Sequence, residues 1–211
     1  MLKWSMTMKP VQCIIFCLSL VLAHAALSLA AEQDIQAIYD RANESLNEGQ
    51  YDKAIQDYST VISRYPDLIE ALFNRGMAYY KKGKYDEAVQ DLNRVISARP
   101  DQPEAINSRG LSYLRKGDNQ QAIDDFSRVI SLNPKLIEAY YNRGIAFRGL
   151  GKYEQAIDDY NKVLSLKPGD ANAVAARGIA FLNKAMADFK RACEMGNQNA
   201  CENLKEISGK K

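Results

Sequence analysis

From about residue 35 onward, the hydrophobic and polar positions of the chain repeat with a period of 34 residues. Each period contains two runs in which apolar residues recur at the three- and four-residue spacing of an amphipathic helix. A glycine separates the two runs and a proline follows the second, at Gly83 and Pro100 in the second period. We therefore predict two helices per period, with the glycine in the turn between them and the proline ending the second helix.

The residues that mark the period keep their positions from one repeat to the next. Counted so that the proline is position 32, four full repeats cover residues 35–68, 69–102, 103–136 and 137–170. Position 8 carries alanine or glycine and position 20 carries alanine, as at Gly110 and Ala122 in the third repeat. Small side chains at these positions let two helix backbones approach closely.

This pattern closely resembles the tetratricopeptide repeat family, over about residues 35–193. The helical hairpins of that family stack into a superhelix with a concave groove lined by the first helix of each hairpin. The resemblance implies an all-α fold, a right-handed α-solenoid of stacked antiparallel hairpins with one hairpin per repeat. One hairpin cannot bury both of its faces, so stability should come from neighbouring repeats.

Position 7 is usually leucine in the family but is arginine in every repeat of this chain, and position 23 is aspartate. The two positions are equidistant from the turn at position 15, so they fall at the same level of an antiparallel hairpin. We predict ion pairs within one hairpin or between adjacent hairpins, which fix register more than they add stability. A ladder of arginines for an anionic ligand is less favoured, because each arginine has its own aspartate. The predicted pairs are Arg41 with Asp57, Arg75 with Asp91, Arg109 with Asp125, Arg143 with Asp159, and Arg177 with Asp188.

The fifth repeat, residues 171–195, is five residues short because the glycine turn segment is absent. It either closes a hairpin through a shortened turn near Asn183 or forms one continuous helix. The continuous helix is favoured, since nothing between Ile179 and Cys193 breaks a helix. Residues 196–211 then form a capping helix and tail.

The first 30 residues have the pattern of a secretory signal peptide, in which lysines precede an apolar run over residues 11–22. Ser28 and Ala30 suit the two small subsites of a signal peptidase. We therefore place cleavage after about Ala30, which leaves residues 31–34 as a short lead and directs the protein to the periplasm or outside the cell.

Two alternatives remain open for this segment. Residues 11–31 are nearly long enough to stay in the membrane as an anchor, although several polar residues weaken that interpretation. Either Met1 or Met8 is the start of the chain, since Met8 would leave a shorter charged region.

Two cysteines, Cys193 and Cys201, lie on either side of a turn predicted at Gly196 and Asn197. In an exported protein such a pair suggests a disulfide. This piece resembles the cysteine-rich Sel-like repeat proteins, in which cysteines at this spacing bridge the two helices of a hairpin. The alternative is a pair of reduced, buried cysteines.

The charge balance argues against nucleic-acid and anionic-lipid partners. Loss of Lys3 and Lys9 with the signal takes the 28 basic residues to 26, equal to the 26 acidic ones. A neutral chain has no electrostatic attraction to nucleic acid, so a partner should be held mainly by shape and apolar contact. Membrane contact is expected only if the N-terminal segment is uncleaved.

The chain also lacks the residues of common catalytic sites. His24, in the signal segment, is the one histidine, so the mature chain has no imidazole for a catalytic triad or a zinc site. No phosphate-binding or dinucleotide fingerprint occurs. We predict no enzyme, no catalytic or metal-ligating residue, no cofactor and no small-molecule substrate.

The groove implied by the resemblance is lined mainly by positions 2, 5, 6, 9, 12 and 13. Aromatic and apolar side chains dominate positions 5, 9 and 12, and asparagines at position 6 are placed to bond a peptide backbone. The alternative is that some of these side chains only pack against the next hairpin. The candidate groove residues are Tyr39, Asn43, Phe73, Asn74, Met77, Tyr80, Leu111, Leu114, Tyr141, Asn142, Ile145 and Arg148.

One known ligand mode of the family is excluded, namely the clamp for acidic chaperone C-termini. That clamp uses basic residues at positions 2 and 6, where this chain has Glu104 and Ser108, Glu138 and Asn142. The leading hypothesis is an exported scaffold that binds a peptide or protein of unknown identity in an apolar and aromatic groove. The alternative is a self-assembling subunit of a cell-envelope complex that associates through its exposed last helix.

Overall fold

The computed structural model describes residues 32–209, and these form helices and turns with no strand among them. The predicted signal peptide, its cleavage after Ala30 and the choice between Met1 and Met8 lie outside the described residues. Within that described range, no helix combines the length and apolar character that crossing a membrane requires.

The described part of the chain contains ten consecutive helices. Helix α1 covers residues 32–47. The others are α2 Tyr51–Arg64, α3 Ile69–Lys81, α4 Tyr85–Ala98, α5 Pro103–Lys116, α6 Asn119–Leu132, α7 Ile137–Gly149, α8 Tyr153–Leu166, α9 Ala171–Glu194 and α10 Gln198–Ile207. Glycines with positive φ stand at the turn inside each of the first four repeats, as at Gly117 with φ of 86°. Each second helix ends two residues before its proline, as predicted.

The chain divides into two compact units, with the boundary between Ala71 and Leu72 inside α3. In the first unit, α1 and α2 pack through Ala42, Ala54 and Tyr58, all fully buried. In the second unit, each helix from α4 to α9 packs on the next one along the chain, and α7 also contacts α5 and α9.

The core of each hairpin is a large side chain at position 24 that packs against the small residue at position 8. Phe126 and Tyr160 are fully buried at position 24 of the third and fourth repeats. A Cβ added to Gly110 would lie 3.0 Å from Phe126 Cε1, and one added to Gly144 would lie 2.8 Å from Tyr160 Cε1. An added methyl group at Gly110 or Gly144 would therefore push the facing ring or helix away.

The fifth repeat forms the continuous helix α9, 24 residues long, and not the hairpin with a turn near Asn183. This makes the ion pair predicted between Arg177 and Asp188 of one chain wrong. Eleven residues along one helix separate the two Cα atoms by about 16 Å, and Asp188 is exposed. The missing five residues are the ones that would have turned the chain back.

Helix α10 lies beside the end of α9 and buries one residue, Ala200. The Asn197 side chain accepts a hydrogen bond from the Ala200 N–H at 3.0 Å, which caps the start of α10. A disulfide joins Cys193 to Cys201 across the turn, with their Cα atoms 4.8 Å apart, within the usual range for such a bond.

Candidate functional site

In the first four repeats, the arginine at position 7 binds the aspartate at position 23 of its own hairpin. Arg109 donates from Nε and Nη2 to the two carboxylate oxygens of Asp125, at 2.9 and 2.6 Å. Arg143 does the same to Asp159, at 2.9 and 2.7 Å. These bonds favour the charged guanidinium and so raise the pKa of Arg143. The same geometry joins Arg41 to Asp57 and Arg75 to Asp91.

The same arginines also reach back to the preceding repeat, through a partner that the sequence did not reveal. Arg109 Nη1 donates to Asn93 Oδ1 at 2.7 Å, and Arg143 Nη1 donates to Ser127 Oγ at 3.0 Å. Both acceptors occupy position 25 of their repeats. A polar residue recurring every 34 residues was the sequence signal that could have revealed this partner. Because each of these two guanidiniums is held from both sides, the arginines join successive repeats and are not exposed ligands for an anion.

The second compact unit contains a cleft of about 550 Å³, which we call the α3–α9 cleft. All but one of its lining residues lie on α3, α5, α7 and α9, the first helices of successive repeats. Its lining residues are Tyr80, Leu111, Leu114, Arg115, Asn119, Asn142, Ile145, Arg148, Gly149 and Asn183. Six of these are candidate groove residues from the sequence.

Sequence reasoning missed four lining residues. Arg115, Gly149 and Asn183 all occupy position 13, which the family resemblance includes in the groove, and their 34-residue spacing would have identified them. Asn119 is different, because it begins the second helix of the third repeat at α6. A survey of first helices alone cannot find it.

The α3–α9 cleft carries positive charge although the mature chain is predicted to be neutral. Two arginines and three asparagines line it, and none of its ten lining residues is acidic. Within the described residues, Arg148 Nε is buried without a hydrogen-bond partner. Arg115 interacts with the Tyr80 hydroxyl, which raises the pKa of Arg115. The cleft therefore combines apolar side chains with donors suited to a carboxylate.

The Tyr160 hydroxyl is buried beside the Arg148 guanidinium. Burial raises the pKa of Tyr160, and the nearby positive charge of Arg148 partly opposes this. Neither the hydroxyl nor Arg148 Nε reaches hydrogen-bond geometry with a described residue. Arg148 Nε thus remains a buried, unsatisfied donor beside the cleft.

The structure separates the remaining candidate groove residues from this cleft. Tyr141 lines a smaller cleft of about 210 Å³ with Glu138 and Lys167, and Asn142 lines both clefts. Phe73, Asn74 and Met77 are half-buried on α3 and do not line the α3–α9 cleft.

In the first compact unit, Tyr39 and Asn43 both contact Tyr58. Asn43 Oδ1 accepts a hydrogen bond from the Tyr58 hydroxyl at 2.6 Å. The Tyr39 ring meets the Tyr58 ring edge-on at a centroid distance of 5.9 Å. Asn43 therefore stabilises its own hairpin, a contact that differs from both the groove prediction and the alternative of packing against the next hairpin. Tyr39 also lines a separate cleft of about 660 Å³ with Ile35 and Tyr65.

Across residues 32–209, no group of three histidine, cysteine, aspartate or glutamate side chains is placed to hold a metal ion.

Family models match most of the repeated region. A tetratricopeptide repeat model matches residues 137–170, and a TPR repeat model matches residues 42–83, 76–117 and 110–151. The chain belongs to the tetratricopeptide repeat family. The matched ranges end at residue 170, so α9 and α10 lie beyond them. No curated protein matches the sequence significantly.

Solved structures of tetratricopeptide repeat proteins confirm the predicted all-α solenoid class. A crystal structure of MamA protein is 27% identical with a TM-score of 0.68, covering 83% of this chain and 92% of that one. The first TPR of Spaghetti (RPAP3), bound to the HSP90 peptide SRMEEVD, is 32% identical with a TM-score of 0.53. It covers 56% of this chain and 93% of that one.

Proposed function

We propose that this protein is a scaffold that binds a peptide segment of a partner protein in the α3–α9 cleft. The observation that carries the proposal is the lining of that cleft by four successive repeats. Leu111, Leu114 and Ile145 offer apolar contact, and Asn142 offers hydrogen bonds to a peptide backbone. The arrangement suits an extended segment or a short helix, and it contains no group that points to catalysis.

The two arginines narrow the chemistry of the segment. A partner with both apolar and acidic side chains would pair a carboxylate with Arg115 or Arg148, which an uncharged segment would leave unpaired. The similar Spaghetti (RPAP3) structure holds an acidic peptide, which supports peptide binding by a stack of this kind. The family's basic clamp positions are acidic here at Glu104 and Glu138, so we place the carboxylate near position 12 or 13 instead.

Export is the second part of the proposal. Its support is the signal-like pattern of residues 1–30 and the disulfide between Cys193 and Cys201, a bond that persists in oxidising compartments. We retain the likeness of the C-terminal piece to Sel-like repeats as part of this proposal. Mass spectrometry of protein expressed from the full-length sequence should find Ala31 at the N-terminus. An intact Met1 or Met8 would favour the anchored alternative.

Peptide selection tests the binding proposal. A displayed library of random peptides would be selected on the purified protein, and the enriched peptides measured by fluorescence anisotropy. We expect enrichment of segments with apolar and acidic residues. Leu114→Ala and Arg148→Gln should each weaken binding about tenfold or more.

Matched variants outside the cleft provide the controls for this test. Leu132→Ala and Arg191→Gln make the same chemical changes at exposed positions that do not line the cleft. They should leave binding unchanged. Peptides that bind all four variants as tightly as the wild type would rule out the α3–α9 cleft as the binding site.

A further inference from the structure

The fifth repeat contains the sequence of a complete hairpin that one chain cannot close. Residues 171–184, the first half of α9, correspond to the first helix of a repeat, and residues 185–194, the second half, correspond to the second helix. The second half carries Ala185, Asp188 and Phe189, which supply the alanine, aspartate and aromatic residue of positions 20, 23 and 24. Because α9 is continuous, the second half extends away from the first and does not fold back onto it.

The face of the first half that would receive a second helix is open. Val174, at position 4, is 48% exposed, whereas Ile106 and Tyr140 at the same position of earlier repeats are 0% and 9% exposed. Phe181, at position 11, is 53% exposed. Two large apolar side chains therefore lie uncovered on the face that is a hairpin core elsewhere.

Position 8 is glycine in the second to fifth repeats, but the glycine of the fifth repeat, Gly178, lacks the neighbouring side chain that the others contact. An added Cβ at Gly144 would lie 2.8 Å from the ring of Tyr160, while one at Gly178 would meet no atom within 4 Å. The aromatic residue that should fill this space is Phe189, one turn past the missing segment on the same helix. The surface of α9 at Gly178 is thus uncovered and has room for an aromatic side chain.

The charges of the fifth repeat are separated in the same way. Arg177 donates from Nη1 to Asn161 Oδ1 at 2.7 Å, which is the bond to the preceding repeat. The described residues give it no carboxylate, unlike Arg143 with its Asp159. Asp188, which holds position 23, is exposed.

We propose that two copies of this chain dimerise by exchanging the two halves of α9. The first half of one copy packs antiparallel against the second half of the other, and each copy contributes both halves, so that two trans hairpins form. In each pair below, the first residue belongs to one copy and the second to the other. The pairs are Val174 with Ala192, Arg177 with Asp188, Gly178 with Phe189, and Phe181 with Ala185.

A single two-fold axis satisfies all four pairs. The mean of the two residue numbers in each pair falls between 182.5 and 183.5. A two-fold axis that passes near Asn183 therefore brings all four pairs together. This is the requirement for a closed, isologous dimer. The pairs also reproduce contacts seen within the chain, such as Arg143 with Asp159 and Gly144 with Tyr160.

The sequence favours a second copy over an unrelated helix as the occupant. The open face needs an alanine, an aspartate and an aromatic residue at hairpin spacing, and the second half of α9 carries this set. The disulfide ties α10 to the second half, so the two would move together as one element. The proposal does not rest on peptide binding in the α3–α9 cleft.

Analytical ultracentrifugation over a range of concentrations tests the proposal on protein expressed from the full-length sequence. We expect a reversible dimer. Gly178→Leu should weaken it about thirtyfold or more, because the new side chain occupies the space for Phe189. The same variant should fold normally as a monomer, since nothing lies within 4 Å of the added Cβ and leucine favours a helix over glycine.

Charge reversal distinguishes the proposed exchange from other dimers. Arg177→Asp and Asp188→Arg should each be monomeric alone, since like charges then face each other. An equimolar mixture of the two variants should dimerise, because both facing pairs become opposite in charge. Insertion of Gly-Lys-Tyr-Asp-Glu between Lys184 and Ala185 restores the missing turn and should give a monomer with a closed fifth hairpin.

Three outcomes would overturn the proposal. A wild-type chain that remains monomeric at millimolar concentration leaves no dimer to explain. A dimer that Gly178→Leu does not weaken uses another surface. A mixture of the two charge variants that stays monomeric shows that Arg177 and Asp188 do not face each other.

Discussion

Arg143 binds Asp159 through two nearly parallel hydrogen bonds and, with its remaining nitrogen, reaches Ser127 in the repeat before. One side chain therefore fixes the two helices of its own hairpin and also the hairpin that precedes it. The Asp159 side chain is 6% exposed and that of Arg143 is 20% exposed. Water therefore competes little for the hydrogen bonds between them. The arginine accordingly sets the register of the stack.

Removing the aspartate should destabilise the stack. In Asp159→Asn, the half-buried Arg143 loses its counter-charge, and we expect a loss of about 3 kcal/mol in the free energy of unfolding. Urea denaturation measures it. The matched variant Asp57→Asn acts on a pair whose arginine is 61% exposed, so its loss should be clearly smaller. Equal losses would contradict a role for burial.

The close approach at Gly144 should make even one added methyl group costly. Gly144→Ala places a Cβ against the buried ring of Tyr160, and we expect a loss of about 1–3 kcal/mol by thermal or urea unfolding. Gly169→Ala is the control, because it adds the same methyl group where nothing lies within 4 Å. It should change stability little. A neutral Gly144→Ala would show that the hairpin can widen.

The start of α9 should lose its cap in acid. Asp170 accepts a hydrogen bond from the Ala173 N–H at 3.0 Å, and this bond, followed by Lys167, lowers the pKa of Asp170. Because the native pKa is lowered, the ionised carboxylate stabilises the fold at every pH above its unfolded pKa of about 3.9. This stabilisation is lost as the pH falls through the native pKa. Asp170→Ala should therefore be less stable than the wild type at pH 7, and the difference should shrink in acid, at a pH below the native pKa of Asp170.

Paired thermal unfolding curves of both proteins at the two pH values check this dependence. Asp170→Asn serves as the control, because asparagine keeps a side-chain acceptor for Ala173 without titrating. Its stability relative to Asp170→Ala should be nearly the same at both pH values. A gap between Asp170→Ala and the wild type that is unchanged at low pH would mean that the carboxylate does not titrate as a cap.

The disulfide should hold α10 in place. That helix buries one residue, so reduction of the bond between Cys193 and Cys201 should cost about 2–3 kcal/mol and expose the amides of α10 to hydrogen exchange. Exchange measured with and without reductant checks this. Amides of α6 and α7 should be unaffected, and a Cys193→Ser, Cys201→Ser variant should no longer respond to reductant.

The periodic residues were enough to predict the repeats, their turns and the pairing of Arg143 with Asp159. These features follow from short-range rules, since helix spacing, glycine turns and the equal distances from position 15 are all written along one repeat. The continuous α9 could also be favoured from sequence, because the missing turn segment leaves no breaker.

Contacts that depend on how repeats stack were harder to predict. The bond from Arg143 to Ser127 crosses between repeats, and position 25 alternates between serine and asparagine without an apolar signature. Asn43 was predicted to line the groove from its position in the repeat. In the structure, its side-chain oxygen accepts a hydrogen bond from Tyr58 on the facing helix. Arg115 and Asn183 could have been found from position 13, whereas Asn119 joins the cleft from the start of α6, a placement that the groove positions of the first helices do not encode.

The position-7 arginine bonds both to its own repeat and to the preceding one, which also explains how an array of this kind can gain repeats by duplication. A tandem duplication of residues 103–136 would carry its own arginine, its own aspartate and its own polar residue at position 25. Both new junctions would then be satisfied without any further substitution. Only a duplication of whole periods does this, because a copy of any other length leaves an arginine facing the wrong neighbour. The contacts that join successive repeats thus also determine which duplications of the sequence keep the stack intact.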